Sequence, residues 1–102
     1  MSTLHTVNKS PFATQSLLSC INHAADGDAI LLIEDGVYGA AAGTGVADVV
    51  AGRTGSIRFY VLGPDLDARG IAATRLLEGV EVVDYAGFVG LAAEHDRAQA
   101  WL

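Results

Sequence analysis

The sequence predicts a small three-layer α/β/α domain around a mainly parallel sheet. Short apolar or β-branched runs suited to strands alternate with stretches of helical spacing, the pattern of βαβ units. One run, Ala29-Ile30-Leu31-Leu32-Ile33, is apolar at every position. A strand buried on both faces of a parallel sheet reads that way. A length of 102 residues leaves room for one core, and no repeat or linker interrupts it. Residues 1–102 therefore read as a single domain.

The elements follow in chain order. Thr3-Leu4-His5-Thr6-Val7 alternates and is partly β-branched, so it predicts the first strand. Ser10 followed by Pro11 predicts a helix cap, because proline lacks the NH that would go unpaired there. A helix is expected from Phe12 or Ala13 to Ala25, with Leu17, Leu18, Ile21, Ala24 and Ala25 on one face. Asp26-Gly27-Asp28 stops it, and the apolar run 29–33 is the second strand. Glu34-Asp35-Gly36 ends that strand. Val37 to Val50 is broken by Gly39, Gly43 and Gly45 and predicts one or two short helical pieces. Gly52 to Gly55 is a loop, and Ile57 to Leu62 is the third strand.

Gly63-Pro64-Asp65 breaks the third strand, and Asp65 caps a turn through Arg69 closed by Gly70. A helix from Ile71 to Leu77 is expected next. Val80 to Tyr85 is the fourth strand. A last helix covers Gly87 to His95, with Asp84 or Tyr85 near its start. Ala98 to Leu102 reads as a short tail in which Trp101 needs a place to bury its ring.

Composition excludes several functions. With 6 Lys+Arg against 12 Asp+Glu the net charge is −6, which argues against direct nucleic-acid binding. Hydrophobic residues make up 51% and charged residues 18%, against about 25% charged in typical domains. Disorder is thereby excluded. So small and apolar a domain is expected to hide surface against other subunits. A single cysteine excludes a disulfide framework and a multi-cysteine zinc site. No basic n-region with an apolar h-region and no membrane-length apolar run are visible, so a cytoplasmic protein is expected.

Open parallel sheets react at the carboxyl ends of their strands. That edge holds Asn8 to Pro11, Glu34 to Gly39, Gly63 to Asp67 and Asp84 to Gly87. Its acids would repel a phosphate unless a helix N-terminus or a cation compensated. Glu34 and Asp35 suit either a base or a solvated acidic loop that binds a partner. Gly43-Thr44-Gly45-Val46-Ala47-Asp48 fails the dinucleotide fingerprint at its third glycine, and no phosphate-loop Lys-Ser/Thr pair exists. His5, His23 and His95 lack metal-ligand spacing, so neither cofactor nor metal is assigned. His5 reads as a hydrogen-bonded core imidazole. His95, between Glu94 and Asp96, reads as a helix-end complement to the dipole.

Cys20 is the candidate catalytic residue. A thiolate accepts sulfane sulfur as a persulfide and passes it on by exchange. No Lys or Arg lies within a helical turn to activate it, and only His23 stands at i+3. Cys20 flanks the apolar helix face rather than centring it, so a half-buried small hydrophobe is the plainer expectation.

Four blocks together resemble the DsrH/TusB family of sulfur-relay proteins. They are Leu4 to Phe12, Asp28 to Val37, Tyr60-Val61-Leu62 with Asp65 to Gly70, and Val82 to Val89 through Glu94-His95 and Trp101. They follow the family's order along almost the whole chain, and the DsrH branch is the nearer one. The resemblance implies a DsrEFH-like α/β/α fold and a place in a cytoplasmic sulfurtransferase heterohexamer. Its partners there are two homologous sister subunits, of DsrE/TusD and DsrF/TusC type, in a 2:2:2 assembly. The complex relays persulfide sulfur to a DsrC/TusE-type acceptor. In the Dsr branch, known from sulfur-oxidising bacteria, the sulfur serves oxidation of stored sulfur. In the Tus branch it goes to 2-thiolation of the tRNA wobble uridine. The main acceptor cysteine belongs to the DsrE/TusD subunit, so this chain is not expected to be an enzyme alone. Some TusB members lack a cysteine matching Cys20, so the resemblance makes Cys20 a secondary persulfide carrier or no carrier at all. A purely structural subunit is the other reading.

Overall fold

The computed structural model describes residues 2–102. Five strands form one sheet in the order β4-β3-β2-β1-β5, with every neighbouring pair parallel. The strands are β1 (Thr3–Val7), β2 (Ala29–Leu32), β3 (Arg58–Leu62), β4 (Val80–Val83) and β5 (Arg97–Trp101). From β1 to β4 the chain steps steadily toward one edge. From β4 it returns across the whole sheet to lay β5 beside β1. Parallel crossovers are right-handed, so the first three connections fall on one face and the returning one on the other.

The packing follows that rule. On the first face lie α1 (Ser16–His23), a 3₁₀ helix (Glu34–Ala40), α2 (Ala47–Ala51) and α3 (Gly63–Ala68). Their buried side chains, among them Leu17, Cys20, Ile21, Val37, Val50 and Leu66, cluster with Val7, Ile30, Leu32, Phe59 and Val61 of the sheet. The second face carries only α4 (Tyr85–Glu94), whose Leu91 and Phe88 pack on Leu4, Ala29, Leu31 and Tyr60. Strand β2 alternates between the two clusters, and all of its residues are buried. This is the central strand expected of the apolar run.

Several elements depart from expectation for local reasons. Helix α1 begins at Ser16, not at residue 12 or 13. The Ser10 hydroxyl accepts the Phe12 amide at 3.1 Å, and the Ser10 carbonyl takes the amides of Ala13 and Thr14. These bonds close a turn that does not propagate. The helix also ends early, at His23. Arg53 donates to the carbonyls of Ile21 and Ala24, at 3.1 and 3.4 Å, and the Asp28 carboxylate takes the Ala25 amide. Gly63-Pro64-Asp65 ends β3 as expected, but it also starts α3, proline being suited to a first turn, so Asp65 lies within that helix and does not cap it. Asp84 caps α4 through the Gly87 amide at 2.8 Å, as its position suggested.

The helix expected over 71–77 is a single 3₁₀ turn, Ala73–Arg75. Its backbone bonds instead with residues 40–42: Ala42 N donates to Arg75 O at 2.7 Å, and Leu77 N to Ala40 O at 2.8 Å. The expected tail is the edge strand β5. Its residues Thr3↔Arg97 through Val7↔Trp101 pair in register with β1. His95 ends α4, and its Nδ1 lies 2.9 Å from the Ser2 hydroxyl.

Gly36 sits against the end of β1, and a Cβ built there would lie 2.1 Å from the Val7 carbonyl oxygen. Backbone on both sides leaves no side chain to yield. We expect Gly36→Ala to cost about 3 kcal/mol, the upper part of the overpacking range. A lowered denaturant midpoint at unchanged slope is the measurement. An unchanged midpoint would contradict the packing.

Candidate functional site

Helix α1 carries the candidate nucleophile into the core. Cys20 is fully buried among Leu17, Ile21 and the sheet side chains of the first face. The half-exposed flank expected from the helix wheel is covered, because β5 and its Trp101 extend the sheet beneath α1. Burial pushes the thiol up to about 12, and the negative charge of Asp28 adds to the shift. A thiol with that value is ionised at neutral pH in on the order of one molecule in 10⁵. The thiolate is the nucleophile in sulfur exchange, so in this conformation Cys20 is chemically quiet.

Below α1, at the amino ends of the strands, a polar network sits in the core. Asp28 accepts three hydrogen bonds, two from β1 and one from the segment that follows α1. Its Oδ1 takes the Thr3 amide at 3.0 Å, and its Oδ2 takes the Ala25 amide at 3.0 Å and lies 2.9 Å from His5 Nε2. On the other side of the imidazole, Trp101 Nε1 donates to His5 Nδ1 at 3.1 Å. An indole N–H only donates. Nδ1 is therefore the acceptor, and the ring proton sits on Nε2, aimed at Asp28. His23 packs its ring edgewise against His5 and Trp101, at centroid distances of 6.2 and 5.6 Å. The His at i+3 thus serves this aromatic cluster. His5 is the hydrogen-bonded core imidazole expected. Asp28 was missed as a hub, since the sequence offers only an acid before an apolar run.

Burial alone would raise the Asp28 carboxyl. The hydrogen bonds from His5 and from the Ala25 and Thr3 amides outweigh it and hold the group below its ordinary value.

At the carboxyl ends of the strands the expected acidic edge is present, but its acids brace the loops. Asp65 Oδ2 accepts the Glu34 amide at 2.7 Å, which holds Glu34 at a φ of 49°. Arg69 Nε donates to Asp35 Oδ1 at 2.9 Å, and its Nη1 to the Asp65 carbonyl at 3.3 Å. Glu34 and Asp35 are exposed. Cys20 belongs to the core beneath α1 and not to this edge. The structure brings Cys20, His23 and Asp28 to one region and leaves Glu34 and Asp35 in another.

The sequence of the chain matches the family described as DsrH like protein over residues 9–98. The chain belongs to the DsrH/TusB family of sulfur-relay proteins. Its relatives in this family include Protein TusB of Pectobacterium parmentieri, 37% identical over 96% of this chain and 99% of that protein. Protein TusB of Shigella flexneri is 34% identical, with the same coverage of 96% and 99%. Two solved structures share the fold of this family member. The ychN protein from E. coli superposes with a TM-score of 0.82 at 16% identity, over 98% of this chain and 99% of its own. A protein of unknown function from Methanobacterium thermoautotrophicum, MTH1491, gives 0.70 at 21% identity, over 91% and 90%. Among the described residues, no helix is long and apolar enough to cross a membrane.

Two titrations test this geometry. A carboxyl held low in the fold adds stability above its unfolded value, near 3.8, and that stability is lost as pH falls through the folded value. We expect stability to fall with pH below about 4, and Asp28→Asn to flatten that dependence while costing about 3 kcal/mol through the broken charged hydrogen bonds. An acid limb unchanged in the variant would refute the Asp28 assignment. The thiol has the opposite sign. Its raised value adds stability below the unfolded value, near 9, which is lost as pH climbs toward about 12. An aromatic disulfide reagent should modify Cys20 at least a hundredfold more slowly in native than in denatured chain. Equal rates would show the thiol to be open.

Proposed function

We propose that the chain works as one subunit of a cytoplasmic sulfur-relay heterohexamer. In this reading two homologous sister subunits, of DsrE/TusD and DsrF/TusC type, join it in a 2:2:2 assembly. The assembly passes persulfide sulfur to a DsrC/TusE-type acceptor. The observation that carries the reading is the near full-length match to proteins named TusB. The surface agrees with it. Tyr85 and Val89, one helical turn apart on α4, are 60% and 70% exposed. Apolar side chains at that spacing form a ridge suited to contact with another subunit.

The family offers this chain two parts: a persulfide on Cys20, or the shaping of the complex. Burial of Cys20 and its raised value support the second. Loading sulfur on Cys20 then requires α1 to lift from the sheet. The destination of the sulfur also has two readings. The relatives' name supports 2-thiolation of the tRNA wobble uridine. The presence of Cys20 supports the Dsr branch and oxidation of stored sulfur.

Co-expression with the neighbouring genes, followed by native mass spectrometry, should give a 2:2:2 complex. Tyr85→Glu combined with Val89→Glu should abolish the complex and leave the circular dichroism of the chain unchanged. A chain that stays monomeric beside both sisters would sink the proposal. Cys20→Ser should assemble and support full sulfur flux. A one-sulfur adduct on Cys20 of the complex, together with lost flux in Cys20→Ser, would restore the carrier role. Loss of 2-thiouridine in tRNA from a deletion strain separates the two destinations.

A further inference from the structure

An acid-free, arginine-lined pocket is unexpected in a chain with 12 Asp+Glu and 6 Lys+Arg. One lies at the carboxyl edge of the sheet, beside the 3₁₀ helix. Its volume is about 260 Å³, and its walls include Phe12, Tyr38, Thr44, Arg69 and Arg75. No Asp or Glu lines it. This edge is where open parallel sheets bind ligands.

The pocket is assembled from separate segments that the fold holds together. Arg75 is carried by the 3₁₀ turn whose backbone is bonded to residues 40–42, including Ala42 N to Arg75 O at 2.7 Å. Its guanidinium makes no ion pair among the described residues. Arg69 is oriented by Asp35 through Nε and by the Asp65 carbonyl through Nη1, and Nη2 takes part in neither bond. Thr44 also lines the pocket. Its hydroxyl oxygen is buried without a hydrogen-bond partner among the described residues. Such an orphan costs about 1–3 kcal/mol, and folded proteins keep few of them. The Tyr38 hydroxyl adds another donor, and Phe12, 63% exposed, forms an apolar wall.

We propose that this pocket binds a small tetrahedral oxyanion. Two arginines and Tyr38 line the pocket from separate segments, and a tetrahedral group offers oxygens in several directions at once. The pocket is smaller than the usual range of roughly 300–1,000 Å³ for larger ligands. It suits an anion of a few heavy atoms rather than a nucleotide, which fits the absence of a phosphate-loop motif. The cation that an oxyanion needs at this acidic edge is thus supplied by Arg75, with Arg69 beside it. The site stands whether or not the chain is a relay subunit.

The test is a nuclear magnetic resonance titration of the full chain with sodium sulfate and sodium phosphate. Chloride holds ionic strength constant, and acetate serves as the carboxylate arm. Saturable shifts are expected at the amides of Ala42, Thr44, Gly70 and Arg75. Arg75→Gln should weaken binding at least tenfold and Arg69→Gln severalfold, while Arg58→Gln on the opposite face changes nothing. Arg69→Gln keeps the test decisive if Arg75→Gln fails to fold. Shifts that do not saturate, or equal affinity in both pocket variants, would overturn the site. Saturation by acetate or an acidic peptide and not by sulfate or phosphate would overturn the tetrahedral assignment.

Discussion

One buried carboxylate ties the ends of this fold together. Asp28 holds the first residue of β1 through the Thr3 amide and the exit of α1 through the Ala25 amide. It also fixes His5, and through His5 the indole of Trp101 on β5. Elements far apart in sequence thus depend on one charge. A buried charge is tolerable only when its hydrogen bonds are filled, and here backbone amides fill most of them. The arrangement ties β1, the exit of α1 and β5 together at the amino end of the sheet.

The fold was legible where burial leaves a mark on the sequence. The unbroken apolar run could only be a central strand, and it is buried on both faces. Asp84 before an apolar stretch announced the start of α4. Less was legible where non-local partners decide. Residues 71–77 have helical composition, yet their backbone bonds to residues 40–42. Strand β5 has alanine in place of β-branched residues, because an edge strand needs little to pack against and its own residues are mostly exposed. Without β5, the surroundings of Cys20 were also misjudged.

The same division governs the candidate sites. Cys20 was visible as the lone thiol, but its reactivity belongs to its setting, and that setting is apolar with an acid nearby. The arginine pocket was invisible for the converse reason. Arg75 lies on a segment held to residues 40–42 by a bridge between Ala41 and Leu76. Charge counts described the carboxyl edge as acidic. The side chains rearrange that sum locally: Asp35 and Asp65 are engaged in bracing, and Arg69 and Arg75 line the cavity.

The late return of the chain to β1 has a consequence for synthesis. During translation, β1 through β4 can assemble while the free edge of β1 waits for residues 97–101. An uncovered parallel edge is a template for pairing with foreign strands. The strand pairs that cover it, from Thr3↔Arg97 to Val7↔Trp101, each span 94 residues, and contacts of that range form slowly. The nascent protein is therefore vulnerable to aggregation until residues 97–101 have paired. The hydrogen bond from Trp101 to His5 marks the moment at which that exposure ends.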